Sequence, residues 1–175
     1  MKWVGQLGLP IFQFILVMRI FCLILSMLLF HSLNAQVKHD YNWMLGYDSN
    51  SMEPGGEGSL IDFNISPIEP QFNEKELSLK SANTTMSDEL GNLLFYSNGC
   101  KVYNANDELM ENGDSINAGQ VYDLLCDDGY LGGQSILSLK KPGSDTLYYI
   151  FHQHQIYQSN PFEIKVDKLL YSVID

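Results

Sequence analysis

Basic residues are scarce in this chain, and arginine is nearly absent. Its 175 residues hold 10 Lys and Arg against 21 Asp and Glu. All 21 acidic residues lie after Gln36. The part of the chain after Gln36 contains eight lysines and no arginine, so its net charge is −13. Such a surface repels phosphate backbones and anionic membranes, and without arginine it lacks bidentate guanine readout. We therefore expect no nucleic-acid partner; cation binding is the alternative to a merely solvated acidic surface.

Helical periodicity is also missing after residue 36. Apolar residues alternate with polar ones, or form short runs between Gly, Asn, Asp, Ser and Pro, which is typical of strands joined by turns. We predict an all-β antiparallel meander without helices. The predicted strands are 58–66, 76–80, 93–97, 100–104, 134–140, 146–152 and 168–175.

The long apolar run lies at the start of the chain. Residues 18–35 have a basic start at Arg19, an apolar centre and a polar end at Ala35, the three-part pattern of a secretory signal peptide. Met18 is then the true start and 1–17 an upstream extension; an uncleaved membrane anchor is the alternative. We expect export to the extracellular space or outer cell surface, with no stable membrane insertion after cleavage.

Cysteines are few. Cys22 lies in the apolar run, whereas Cys100 and Cys126 remain in the exported part, where disulfides persist. A bridge between them would stabilise the fold by roughly 3 kcal/mol. Spacing cannot place their Cα atoms, so a disulfide and two separate buried thiols are both open.

Turn residues separate the predicted strands. Asn98 and Gly99 form the strongest short hairpin signal, a two-residue loop with positive φ at both positions. Pro142 and Gly143 lie in the turn of a second predicted hairpin. These residues are predicted to serve turns rather than chemistry.

The two hairpins echo each other. Asp88, followed by Gly91, and Asp145 each stand beside a serine at a turn before an apolar, aromatic strand, 57 positions apart. Strand-built repeats of roughly 40–50 residues predict propeller blades. We expect a lead-in at 36–57, then the first two to three blades of an incomplete propeller ring at 58–175. Because the last predicted strand has no turn after it, we expect that the chain is cut short.

No stretch carries a complete metal-binding motif. Asn104, Asn106 and Glu108 fit the first three ligand positions of an EF-hand loop, but Leu109 stands where that loop needs glycine. His152 and His154 would share one face of a strand, yet no third ligand is visible. We predict a polar turn at 105–108, and no metal and no cofactor.

No stretch carries a complete catalytic motif either. Asp88 and Glu89 are adjacent, so they would point apart on a strand, and a turn Asp commonly bonds its own backbone. No G-x-S-x-G elbow supports a serine nucleophile. The Gly-rich stretches 55–58 and 129–133 do not lead into a helix, so a phosphate cradle is not expected. We predict no catalytic residue.

The stretches "SDELGNLLFYSNGCKVYN" (87–104) and "PGSDTLYYIF" (142–151) resemble a known family. They are similar to the Trp-Asp-repeat-like, propeller-like domain at the start of large secreted surface proteins of gliding bacteria. Those proteins often continue into PKD modules and a sorting domain of the type IX secretion system. This chain has Asn98-Gly99 and Tyr103 where the family usually has Asp-Gly and Trp.

The resemblance implies a secreted or cell-surface, non-enzymatic binding or adhesion module, a fragment of a larger protein, with a glycan or protein ligand. The alternative is a secreted carbohydrate-active enzyme, which would need two carboxylates about 5–9.5 Å apart in one cleft. A third reading takes the 175 residues as the entire protein, which would then be a small β-sandwich or an open sheet. Two to three blades cannot close a ring and would leave edge strands prone to association.

Overall fold

The computed structural model describes residues 9–31, 37–46, 58–72 and 77–175. The predicted cleavage site after Ala35 and most of the Gly-rich stretch 55–58 lie outside these ranges. The chain divides into two units, Met1–Gln36 and Val37–Asp175. The first contains helix α1, Leu9–His31, which runs through the proposed start at Met18. Within the described ranges, no helix combines the length and apolar character required to cross a bilayer.

The second unit contains three antiparallel sheets in chain order. This confirms the predicted all-β class and antiparallel strand pairing. Within every sheet, each strand pairs with the next one along the chain. Sheet 1 has β1 (Asn42–Leu45) and β2 (Ser59–Asp62); sheet 2 has β3 (Thr84–Ser87), β4 (Leu93–Ser97) and β5 (Val102–Asn104); sheet 3 has β6 (Ile136–Lys140), β7 (Tyr148–Ser159) and β8 (Phe162–Ile174). Because β1 lies in the predicted lead-in, the boundary between 57 and 58 passes through sheet 1.

Sheet 2 contributes to two apolar layers. Phe95 and Tyr96 are neighbours on β4, so their side chains point to opposite faces, and both are buried. Tyr96 packs in one cluster with Met44 of β1. Phe95 packs in the other with Ile150 of β7, and its ring lies edge-on to Tyr148 at 5.8 Å between centroids. Burial of each such large apolar side chain contributes about 1.5–3 kcal/mol, so both layers stabilise sheet 2.

Sheet 3 is packed on one face only. In β6, Ile136 and Ser138 are buried whereas Leu137 and Leu139 are about half exposed, as the two-residue period of a strand requires. The buried positions face the layer that contains Phe95. The opposite face of sheet 3 therefore presents apolar side chains without a covering layer among the described residues.

The predicted strand 76–80 is absent from the described residues 77–80, the predicted strand 58–66 is too long, and β7 and β8 extend well beyond the predicted 146–152 and 168–175. Leu77 and Leu79, in the predicted strand 76–80, are buried but lie outside any strand. Ser78 between them is buried as well. The alternation of polar and apolar residues therefore does not correspond to one exposed and one buried face of a strand. In the predicted strand 58–66, β2 ends at Asp62, and Asn64 lies in a turn closed by its backbone N–H to Asp62 Oδ1 at 2.8 Å. The aspartate therefore ends the strand early.

The predicted two-residue Asn-Gly loop is also wrong. Ser97 pairs with Val102, so the hairpin loop has four residues, and only Gly99 among them has a positive φ, of 86°. The Asn98 side chain is buried, and its Oδ1 accepts the N–H groups of Cys100 and Lys101 at 3.0 and 3.1 Å. This local capping widens the loop by two residues.

A helix is present where none was predicted. Helix α2 spans Gln120–Leu125 and ends at Cys126. Cys126 is joined by a disulfide to the buried Cys100, with their Cα atoms 5.8 Å apart. Six residues are too short for helical periodicity to register in the sequence. The bridge fastens this helix to the hairpin loop of sheet 2.

Candidate functional site

The first strand of each sheet borders one common cleft. Its volume is about 480 Å³, within the range of roughly 300–1,000 Å³ typical of ligand pockets. Residues of β1, β3 and β6 line it, together with the two turns that precede β1 and β3. The lining residues are His39, Asp40, Trp43, Met44, Leu45, Asn83, Thr84, Thr85, Met86, Leu137, Ser138, Leu139 and Lys140.

Two threonines of β3 hold the three strands around this cleft. Thr85 donates its hydroxyl to the carbonyl oxygen of Asn42 on β1, at 2.5 Å. Thr84 donates to Ser138 Oγ on β6 at 3.0 Å and accepts the Ser138 backbone N–H at 3.0 Å. These strands are the edges of their sheets, and edge strands carry unpaired backbone groups. The threonine hydroxyls satisfy some of those groups, so the strands converge without joining into one sheet.

The apolar part of the cleft is accessible. Trp43 is 48 % exposed and Leu45 of the same strand is 44 % exposed. The Trp43 ring lies edge-on to Phe63, with centroids 5.1 Å apart. This contact restrains the indole, because aromatic pairs favour an edge-to-face arrangement. An exposed tryptophan held in one orientation suits contact with a ligand.

His39 lies at the polar end of the cleft. Its Nδ1 lies 2.7 Å from the carbonyl oxygen of Ser87, which accepts its proton, and the Ser87 N–H donates to the His39 carbonyl at 3.0 Å. This arrangement leaves Nε2 as an acceptor, and that atom is buried without a hydrogen-bond partner among the described residues. The residue lines the cleft, but its unpartnered nitrogen has no accessible surface there.

An ion pair stands beside this histidine. Lys140 of β6 bonds to Glu89, in the turn after β3. The hydrogen bond from Lys140 lowers the pKa of Glu89, and the same bond raises the pKa of Lys140. Both groups are thus charged across the physiological range. Lys140 lines the cleft and therefore adds a charged group to its mainly apolar wall.

The predicted turn role of Asp88 matches its contacts. Its Oδ1 accepts the N–H groups of Leu90 and Asn92 at 2.8 and 2.9 Å. Burial raises the pKa of Asp88, but these bonds and the Asn92 side chain outweigh it, so the pKa lies below its ordinary value. Gly91 in the same turn has a φ of +92°. These groups build the turn that leads into β4.

The second turn uses a different residue. Ser144 Oγ accepts the N–H groups of Thr146 and Leu147 at 3.4 and 3.1 Å, and Gly143 has a φ of +75°. Pro142 and Asp145 are exposed. The side chain that accepts backbone N–H groups is therefore Ser144 in the second turn and Asp88 in the first, although Asp145 also lies between β6 and β7 as predicted.

The residues considered for metal binding bond to other groups. Asn104 Oδ1 accepts the N–H groups of Asn106 and Glu108 at 2.9 and 3.1 Å, which forms a polar turn. His154 bonds to Asp167 at 2.5 Å, whereas His152 is buried and contacts Asn117 and Ser172. Within the described ranges, no three His, Cys, Asp or Glu side chains are grouped to hold a metal.

The described carboxyl groups whose pKa values are shifted all shift downward. Besides Asp88 and Glu89, hydrogen bonds from Tyr122 and His154 lower the pKa values of Asp114 and Asp167 respectively. A glycosidase acid needs a raised pKa to keep its proton near neutral pH. None of these four carboxyl groups has that property.

The chain has no match among protein-family models, curated proteins or solved structures. The sequence did not reveal the cleft, because its walls come from three segments whose proximity depends on sheet packing. Trp43 was missed as well, because the exposure of an aromatic side chain cannot be read from the sequence. The threonine pair Thr84-Thr85 gave no signal, since threonine is common in strands.

Proposed function

We propose that this chain is a binding module of an exported or cell-surface protein, which takes its ligand in the cleft between β1, β3 and β6 and does not chemically alter it. One observation carries this proposal: the first strands of three successive sheets border a single, mainly apolar cleft. Concave sites with an apolar wall and a few polar groups are the usual ligand sites of proteins. Export rests on the predicted signal peptide at 18–35.

We further propose that the three sheets are the first blades of a propeller-like module. A propeller stacks blades face to face around a central channel. Sheets 1 and 2 share one apolar layer, and sheets 2 and 3 share the next. The first strand of each sheet is the one that borders the cleft, which is the position a channel would occupy.

The uncovered face of sheet 3 supports the same proposal. Cross-strand pairing forms two apolar rows on this face, and exposed apolar patches of this kind commonly mark interfaces. A further sheet would cover them as sheet 2 covers the other face. The two rows are Leu137–Phe151–Tyr171 and Leu139–Tyr149–Val173.

The ligand is expected to be an extracellular glycan or protein. The acidic surface disfavours polyanions, and the restrained Trp43 side chain presents an apolar ring face. Lys140, which lines the cleft, would donate a hydrogen bond to a ligand hydroxyl or carbonyl oxygen. Both ligand classes carry such oxygens beside apolar surface.

A binding screen with matched variants tests the proposal. The purified protein is applied to immobilised glycans and extracellular proteins, and the bound material is analysed for cleavage. Trp43→Ala should weaken binding about tenfold or more, as loss of a central aromatic anchor does. Phe72→Ala is the control, because Phe72 is 65 % exposed and lies outside the cleft. Equal losses in the two variants, or cleaved ligand, would contradict the proposal.

A further inference from the structure

A row of three hydrogen-bonded side chains lies outside the cleft. His152 Nε2 is 3.1 Å from Ser172 Oγ, and His152 Nδ1 is 2.8 Å from Asn117 Oδ1. The three residues come from β7, β8 and the segment before α2. This is the order of groups in a serine nucleophile, its base and the group that orients the base.

The contacts of Asn117 determine which ring nitrogen of His152 carries the proton. Its Nδ2 donates to the Gly99 carbonyl at 2.9 Å, so its Oδ1 faces the imidazole and accepts the proton on Nδ1. His152 Nε2 then carries a lone pair that accepts the Ser172 hydroxyl. Burial, and to a smaller extent His154, lower the pKa of His152, which keeps the ring neutral and able to take that proton.

Ser172 is the accessible member of this row. His152 is only 2 % exposed, whereas Ser172 is partly exposed on β8, an edge strand of sheet 3. Alternate N–H groups of an edge strand have no ladder partner. Either the N–H group of Ser172 or the N–H groups of its neighbours Tyr171 and Val173 therefore point away from β7. A backbone N–H of this kind can stabilise a developing oxyanion.

We propose that Ser172 is a nucleophile for acyl transfer from carboxylic esters, with His152 as its base and Asn117 as a positioning residue. Ser172 Oγ forms a bond to the acyl carbon while its proton passes to His152 Nε2. The ester C–O bond then breaks, and the alcohol leaves with that proton. Water next attacks the acyl-serine with His152 again as base, which releases the carboxylic acid and restores the hydroxyl. This activity is separate from ligand binding in the cleft.

An alkyl fluorophosphonate probe tests the proposal directly. Ser172 Oγ would bond to phosphorus, fluoride would leave with the P–F electron pair, and the proton would pass to His152. Trypsin cleavage after Lys168 yields a peptide that begins at Leu169 and contains Ser172, in which fragmentation separates a label on Ser172 from one on Tyr171. We expect labelling of Ser172 at least about a hundredfold faster than that of the exposed Ser159, since an activating base contributes factors of this size.

Variants separate chemistry from structure. Ser172→Ala should lose the label on this peptide, and Ser159→Ala should keep it. Asn117→Ala should slow labelling at least about tenfold, and Asn117→Asp should slow it less, because its carboxylate still accepts the Nδ1 proton although it cannot donate to the Gly99 carbonyl. Labelling of Ser172 no faster than that of Ser159 in the folded wild-type protein would overturn the proposal and leave the row as a structural network. That comparison needs no variant to fold.

Discussion

Thr84 and Ser138 exchange two hydrogen bonds across 54 residues of sequence. The Thr84 hydroxyl donates to Ser138 Oγ and accepts the Ser138 N–H, both at 3.0 Å. Both residues are buried, and they join the edge strands of sheets 2 and 3. A buried N–H left without its acceptor costs about 1–3 kcal/mol. This pair therefore links the packing of two sheets to the shape of the cleft.

Thr84→Val should destabilise the protein by about 1–3 kcal/mol, because valine keeps the shape but leaves the Ser138 N–H and hydroxyl without their partner. Urea unfolding of the two proteins, followed by far-UV circular dichroism, measures the difference. Thr146→Val is the matched control, since Thr146 is exposed in the turn before β7. Equal unfolding midpoints for wild type and Thr84→Val would show that this pair does not stabilise the fold.

Gly91→Ala should be more destabilising than Gly143→Ala. Both glycines have positive φ, +92° and +75°, which costs any L-residue backbone strain. A Cβ at Gly91 would also lie 2.5 Å from the Asn64 side chain, whereas a Cβ at Gly143 meets nothing within 4 Å. We expect about 1 kcal/mol for the strain alone and a larger loss at Gly91, measured by thermal unfolding. Equal losses would mean that Asn64 moves aside at no cost.

Stability should fall as the pH drops below about 6.5, the unfolded pKa of histidine. The pKa of His152 is lowered in the folded state by burial. Between these two pKa values the unfolded chain binds more protons than the folded protein, so stability is lost as the pH falls from the unfolded pKa through the folded one. Urea midpoints at pH 7.5 and 5.5 measure the loss.

His152→Gln is the variant that isolates this effect, because it removes the titrating ring while other histidines remain. The difference between the two midpoints should be smaller in His152→Gln than in wild type. If both proteins lost the same stability between pH 7.5 and 5.5, another group would be responsible for the pH dependence.

The turns could be predicted more fully than the strand ends. The Asp88 turn followed from a short aspartate that bonds its own backbone, and Asp88 makes these bonds. The Asn98 hairpin did not, because Asn98 is buried and caps two N–H groups that an exposed Asn-Gly loop would leave to water. The strand predicted at 76–80 was wrong for a related reason. Leu77 and Leu79 are buried because of tertiary packing, and this burial does not require a strand.

The sequence by itself determined the local features of this protein. Two-residue alternation and the preferences of turn residues act over a few residues, so the antiparallel meander could be predicted from the sequence. Only the tertiary structure decided which sheets face each other. The cleft, the Thr84–Ser138 link and the row from Asn117 to Ser172 depend on contacts between residues 20 to 54 positions apart. Such contacts form when apolar faces pack together, and hydrophobic burial is non-directional, so no short stretch of sequence records them.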